Sequence, residues 1–546
     1  APDLTRVSGH KANADTAADA MTESASPSPA KAATATATAS SDSSAGSTAD
    51  ANQGQSNSDI VASTGSMAIA TLISRITGFL RNLLIGATLG PAVASAFNVA
   101  NTLPNLITEI VLGAVLTSLV VPVLVRAEKE DPDHGAAFIR RLLTVSMTLL
   151  AVVTVLAVIG APLLTRLSLN EAGKVNVPLA TSFAFLLLPQ IIFYGIFALL
   201  MAVLNTKGIF KPGAWAPVAN NVVAIATLLL YLFLPGQLSP DSDGSLSDPH
   251  ILLLGLGTTL GVVIQAAIMI PYLKRAGIDL RPLWGIDDRI KQFTGMGVAI
   301  ITYVAISQAG YFITTNIAST ASKAAPTIYQ QAWLLLQVPY GIIGVTLLTA
   351  IMPRLSRNAA DGNDGAVVRD LSIGTRLTMI ALVPIVAFFT AFGRPIAVGL
   401  FAYLEFPRET AEILGWTLSF SAFSLIPYAI VLLHLRVFYA REEAWTPTFI
   451  ILGITTVKVI LSFFAPRLAS DDETVVVLLG AANGFGFVAG AIIGFLLLRR
   501  TLGHLDSKAT VHTVLWALGA SLVGVAVAWG AFALTDLVLF LSLIHI

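Results

Sequence analysis

The sequence predicts an all-α polytopic membrane protein: two six-helix lobes related by a parallel internal repeat, followed by one or more extra C-terminal helices. Three observations predict it. Hydrophobic residues make up 55% of the 546 residues and charged ones 12%, with a mean hydropathy of +0.78, more apolar side chain than a soluble domain can hide from water. Apolar runs long enough to cross roughly 30 Å of hydrocarbon recur along the chain. Lys and Arg crowd alternate loops between those runs, as they do when cations are retained on the cytoplasmic side during insertion.

Residues 1–59 are rich in Ala, Ser, Thr and Asp, as in Thr34-Ala-Thr-Ala-Thr-Ala-Ser40, with few large apolar side chains to bury. A disordered cytoplasmic tail is expected there, because nothing in it resembles the charged-then-apolar layout of a secretory signal. About thirteen spans follow, at 66–90, 95–125, 138–161, 178–204, 214–234, 251–273, 294–318, 326–353, 376–402, 410–438, 446–465, 474–498 and 511–534. They divide into a first lobe at 60–275, a second at 276–500, and helix 13 at 501–546. With the tail inside, the inner loops hold Arg126, Lys129, Arg140, Arg141, Lys274, Arg275, Lys291, Arg499 and Arg500, among others. The outer loops hold only Arg166, Lys174, Lys323, Arg394, Arg408 and Arg467.

The repeat is visible in two places. Gly113-Ala-Val-Leu-Thr-Ser-Leu-Val-Val-Pro-Val-Leu-Val-Arg126 matches Gly344-Val-Thr-Leu-Leu-Thr-Ala-Ile-Met-Pro-Arg-Leu-Ser-Arg357 in its Gly, Leu, Pro, Leu and Arg positions. Just before each copy, Ile73-Ser74-Arg75 and Phe79 correspond to Ile306-Ser307-Gln308 and Phe312. Copies six helices apart have the same orientation, the arrangement of transporters whose site lies between two bundles near the bilayer midplane.

Apart from residues assigned to the loops or standing near span ends, few ionisable residues fall within the spans: Arg75, Arg81, Glu109 and Lys458. A cation at a helix centre costs roughly 2.5–3.5 kcal/mol, so such residues usually face a water-filled cavity. Arg75 and Arg81 lie roughly 120° apart and about 9 Å along an ideal helix, so a bend at Gly78 would be needed to aim both at one point. Two readings stand. Arg75 pairs with Glu109 as a buried ion pair while Arg81 snorkels, or the two arginines cradle an anion. Replacement of Arg75 by Gln308 in the second copy leaves one lobe cationic and favours the anion. Lys458 reads as a snorkelling or packing residue.

Other chemistry is poorly supported. Cys is absent, which excludes disulfides, thiolate metal sites and cysteine nucleophiles. The seven histidines show no metal-ligand spacing, and Pro240-Asp-Ser-Asp-Gly244 has the composition of a solvated turn rather than of the metal-binding pair of a lipid-linked sugar transferase. A formal net charge of zero gives no reason to expect nucleic acid. No cofactor is expected; a coupling ion or the membrane potential is left open.

With Ser74-Arg-Ile-Thr-Gly-Phe-Leu-Arg81, Leu103-Pro-Asn105, Val121-Pro122, Asn205-Thr206, Ala216-Pro217, Val338-Pro-Tyr-Gly-Ile-Ile-Gly344 and Phe438-Tyr-Ala-Arg-Glu-Glu-Ala-Trp-Thr-Pro447, residues 64–534 resemble the MurJ (MviN) family. These are bacterial lipid II flippases of the multidrug/oligosaccharidyl-lipid/polysaccharide exporter superfamily. The resemblance implies a V-shaped pair of lobes in the cytoplasmic membrane and a central cationic cavity. Helices 13 and 14 would form a groove for the lipid tail, and alternating access would move undecaprenyl-pyrophosphate-linked lipid II outward. Membrane lipids and cell-wall synthesis or regulatory proteins are further expected partners.

Arg75 and Arg81 fall on the family's two first-helix cavity arginines. Thr108 and Leu334 stand where many members have a second-helix and an eighth-helix arginine, and Ser95 where many have an aspartate. Asn105, Thr108, Ser95, Gln308 and Glu109 are secondary candidates for substrate contact, with Glu109 balancing an arginine while the cavity is empty. The end at Asp536–Ile546 is about one helix short of the family's fourteen, so truncation is expected. The rivals are a polysaccharide-lipid or drug exporter of the same superfamily, against which the arginines speak for cationic drugs, and a membrane scaffold for cell-wall synthesis.

Overall fold

A computed structural model describes residues 57–113, 120–289, 294–441 and 443–544. Residues 1–56 of the tail expected at 1–59, the middle of the Gly113–Arg126 motif, Lys291 and Glu442 lie outside the described residues, and 57–59 already belong to a helix. Every regular element among the described residues is helical.

Helix α1 (Asn57–Leu89) runs unbroken through Gly78 and is stopped by Gly90 at φ +77, after which Pro91 opens α2 (Pro91–Thr108). A left-handed glycine followed by proline at the first helical position is the turn this reversal needs. Helix α2 passes into a π turn at Glu109–Gly113, and α3 (Val121–Glu130) and α4 (Ala136–Ile159) follow. Asp133 caps α4 by accepting from the Ala137 and Gly135 backbone N–H groups, which holds its carboxyl below the usual range.

Next come α5 (Ala161–Ser168), α6 (Val177–Leu187), α7 (Gln190–Thr206), α8 (Lys211–Phe233) and α9 (Pro249–Arg275). The second half has α10 (Thr294–Ala321), α11 (Ala325–Ala360), α12 (Asp364–Phe401), α13 (Arg408–Ser421), α14 (Leu425–Ala440), α15 (Thr446–Leu468), α16 (Val475–Leu502) and α17 (Ser507–Ile544). Among the described residues, ten helical segments are long and apolar enough to cross a membrane, and the pair α6–α7, bent by 43°, makes an eleventh. The other two expected spans fall on α2–α3, of which residues 114–119 lie outside the described residues, and on α11.

The sequence ends the eighth span at 353 and begins the ninth at 376, whereas α11 and α12 run on to a tight turn at Asp361–Asn363. Gly362 at φ +69 makes that turn and the Asn363 side chain accepts from the Ala366 N–H. The cations between the spans are therefore carried on two helical extensions rather than on a loop. Helix α12 breaks at Phe392, three residues before Pro395, whose ring is incompatible with a helical turn behind it.

Apolar side chains assemble into two cores, one from Ile85 to Leu273 and the other from Ile300 to Leu505. Their outer faces expose rows of large apolar residues, such as Ile69, Leu72, Ile76 and Leu80 on α1, as expected of surface in contact with lipid. The segment joining the cores is clasped to the first. Arg289 bonds Asp131 and Asp287, and Arg140 donates to the Arg281 carbonyl. Arg281 holds the Asp279 carboxyl down at about 2 through side-chain hydrogen bonds, so that pair stays ionised down to strongly acidic pH.

The two bundles meet tightly at the end where α1 stops. Ser95 and Thr327 share a hydroxyl hydrogen bond of 2.8 Å, and the Thr327 hydroxyl donates to the Pro91 carbonyl at 2.9 Å. The Lys174 N–H donates to the Ser319 carbonyl at 2.8 Å, where Gly173 lies so close that a Cβ would strike that carbonyl. The Glu405 N–H donates to the Ala87 carbonyl, and its carboxylate accepts from Gln237. Lys174–Asp472 and Lys323–Asp241 ion pairs rim the contact. Asp241 of the presumed turn is thus part of this seam.

Candidate functional site

Between the two cores, toward the end where α1 begins, lies a cavity of about 360 Å³. Its α1 wall runs from Met67 to Asn82, roughly 22 Å of helix axis. Arg75 and Arg81 both line it, together with Asn105 and Gln308. No bend in α1 is needed: the two long side chains make up the difference in direction. The Arg75 guanidinium reaches across to α11, where it occupies the space that a Cβ on Gly341 would take. Arg81 lies beside Tyr194, and its Nε is buried without a hydrogen-bond partner among the described residues. Asn221 anchors α1 behind them by donating to the Ser74 carbonyl and the Thr77 hydroxyl.

Three secondary candidates stand elsewhere. Ser95 is wholly buried and ties the two bundles at the tight end. Thr108 turns its hydroxyl onto the Pro104 carbonyl of its own helix. Glu109 sits on the π turn and is absent from the cavity wall on which Arg75 lies. A short polar residue on an apolar helix often serves that helix or its neighbour, and sequence position alone does not distinguish this from substrate contact.

Lys458 corrects the sequence reading. It lines the cavity from α15, with its ammonium 5.8 Å from the centre of the Tyr329 ring. Both bundles are therefore cationic, and the inference of a single cationic lobe from Gln308 fails. The wall carries Arg75, Arg81 and Lys458 but no Asp or Glu among its described residues. Leu334, at the position without an arginine, is part of the wall too. On the second bundle the wall is aromatic: Trp333 stacks on Phe487 at 5.7 Å, and Tyr428 packs edge-on against both. At the rim Leu72, Ile76 and Ile342 are about half exposed, so polar interior and apolar surface adjoin.

Three cations on one hollow would each cost roughly 2.5–3.5 kcal/mol if they faced lipid, a cost that water or an anion in the hollow would lower. Arg offers two parallel N–H donors to a phosphate and Lys a mobile point charge.

Comparison with known proteins identifies the relatives of this arrangement. Lipid II flippase MurJ of Burkholderia cenocepacia is 26% identical over 470 residues, covering 83% of this chain and 86% of the relative. The probable lipid II flippase MurJ of Rhizobium meliloti is 26% identical over 498 residues, covering 87% and 88%. Among solved structures, lipid II flippase MurJ in an inward closed conformation superposes with a TM-score of 0.67 at 18% identity, over 84% of this chain and 91% of that one. An inward-facing multidrug resistance MATE family transporter of the MOP superfamily gives 0.63 at 14% identity, over 80% and 96%. These two superpositions show a shared fold. The profile of the lipid II flippase MurJ family matches residues 84–546, and the chain belongs to that family.

Proposed function

We propose that this protein is a transporter that moves lipid II from the inner to the outer leaflet of the bacterial cytoplasmic membrane by alternating access, with the start of α1 on the cytoplasmic side. The observation that carries this reading is the cavity wall itself: three cations, no acid, and an apolar exposed rim. A cationic wall attracts a pyrophosphate head and repels a cationic drug, while the rim suits the attached polyprenyl chain. The seam where α1 ends corresponds to a closed outer side, so the cavity is the inward-accessible form of the site.

The test is reconstitution of the full chain in vesicles with fluorescent lipid II and, separately, a cationic dye. Lipid II should change leaflet and the dye should not. Dye transport without lipid II movement would overturn the reading.

Gly341→Ala gives a milder expected result. Its Cβ collides only with the tip of the flexible Arg75 side chain, so the fold should melt at the same temperature while lipid II binding falls several-fold. Unchanged binding would mean that the seat of Arg75 against α11 is immaterial.

A further inference from the structure

We propose that Lys458 is the second bundle's contact for the anionic head of the lipid, opposing Arg75 and Arg81 across the cavity; this rests on the reading of the cavity given above. Its position in α15 is the first argument. It lies twelve residues into a helix that starts at Thr446 and ends at Leu468, about 15–18 Å from either end, whereas a lysine side chain spans only about 6 Å. Lys458 is too deep to reach either headgroup layer, so its charge is solvated by the cavity or by what the cavity holds.

Its surroundings are the second argument. Among the described residues no acidic side chain is within ion-pair distance of Lys458, and its one charge-related neighbour is the Tyr329 ring. A cation over a phenol ring gains less than the insertion cost of the ammonium. The ring positions the charge without neutralising it. Close packing of Gly486 against the Lys458 Cβ holds the stem of the side chain, and the ammonium lies 5.8 Å from the centre of the Tyr329 ring, which lines the same cavity.

A diphosphate has anionic oxygens on both phosphorus atoms and can be approached from two sides. Guanidinium groups carried by α1 and an ammonium carried by α15 fit that charge distribution better than a cluster on a single helix. A ligand held from both walls also favours the arrangement in which the bundles stand close.

The experiment measures binding of undecaprenyl pyrophosphate and undecaprenyl monophosphate to the full chain in nanodiscs, for Lys458→Gln, Lys458→Arg and the Arg75→Ala Arg81→Ala double variant. Lys458→Gln should weaken the diphosphate lipid about tenfold with less effect on the monophosphate and a shallower salt dependence, and Lys458→Arg should restore it to within about twofold. If Lys458→Gln binds both lipids like the wild type while the double variant has lost binding, Lys458 is no contact. If folded Lys458→Arg is as weak as Lys458→Gln, the residue acts by packing and the proposal fails. If the double variant also binds like the wild type, the reading of the whole cavity falls with it.

Discussion

With Arg75 replaced by alanine, a strain depleted of its own lipid II flippase will fail to grow although the variant protein accumulates in the membrane at the normal level, and Arg81→Ala will do the same. Each guanidinium supplies charge-assisted hydrogen bonds worth about 1.5–3 kcal/mol apiece, so losing one arginine should cost roughly 3 kcal/mol of head-group binding, about 150-fold. Stability should move the other way. Removing a cation from mid-membrane relieves part of its roughly 2.5–3.5 kcal/mol insertion cost, and the melting temperature should hold or rise. A structural ion pair would show the opposite sign, because deleting one partner leaves the other charge buried and alone. Lysine at 75 should rescue growth only in part, since it lacks the planar fork. Growth with either alanine variant would remove the arginines from the site.

The second large effect is a reversible stop. Ser95→Cys and Thr327→Cys together place two sulfurs where hydroxyls now stand 2.8 Å apart, a spacing close enough for the Cβ separation of about 3.5–4.5 Å that a disulfide needs. The native chain has no cysteine, so the bond that forms will be this one. Oxidation should abolish lipid II transport in reconstituted vesicles while lipid II binding from the open side persists, and a reductant should return the transport rate to that of the reduced protein. Undiminished transport in the cross-linked form would show that the seam need not open, and alternating access would be wrong.

Much of this molecule is legible from its residues. Apolar runs separated by Pro, Gly and charge give the helices because the bilayer forces every backbone group into an intrahelical bond. Arg75 and Arg81 stand out because a charge in such a run has few explanations. Lys458 carried the same signal. Its distance from both ends of α15 argues against snorkelling, but helix depth reveals nothing about which way a residue faces, so the sequence does not place it on the cavity. The roles of Ser95 and Thr108 were not readable. Ser95 meets Thr327 across 232 positions, and Thr108 answers to its own helix, distinctions that depend on how bundles dock. The continuation of α11 and α12 to the turn at Asp361–Asn363 was missed because hydropathy marks where lipid ends, not where a helix does.

The join at the end where α1 stops has an uneven chemistry with a practical outcome. Lys174–Asp472 and Lys323–Asp241 are solvent-facing charge pairs, which ions in the medium weaken. Lys174 N–H to Ser319 carbonyl and Glu405 N–H to Ala87 carbonyl are main-chain bonds, indifferent to ionic strength and beyond the reach of most point changes. High salt at that end therefore loosens the rim of this door but not its latch.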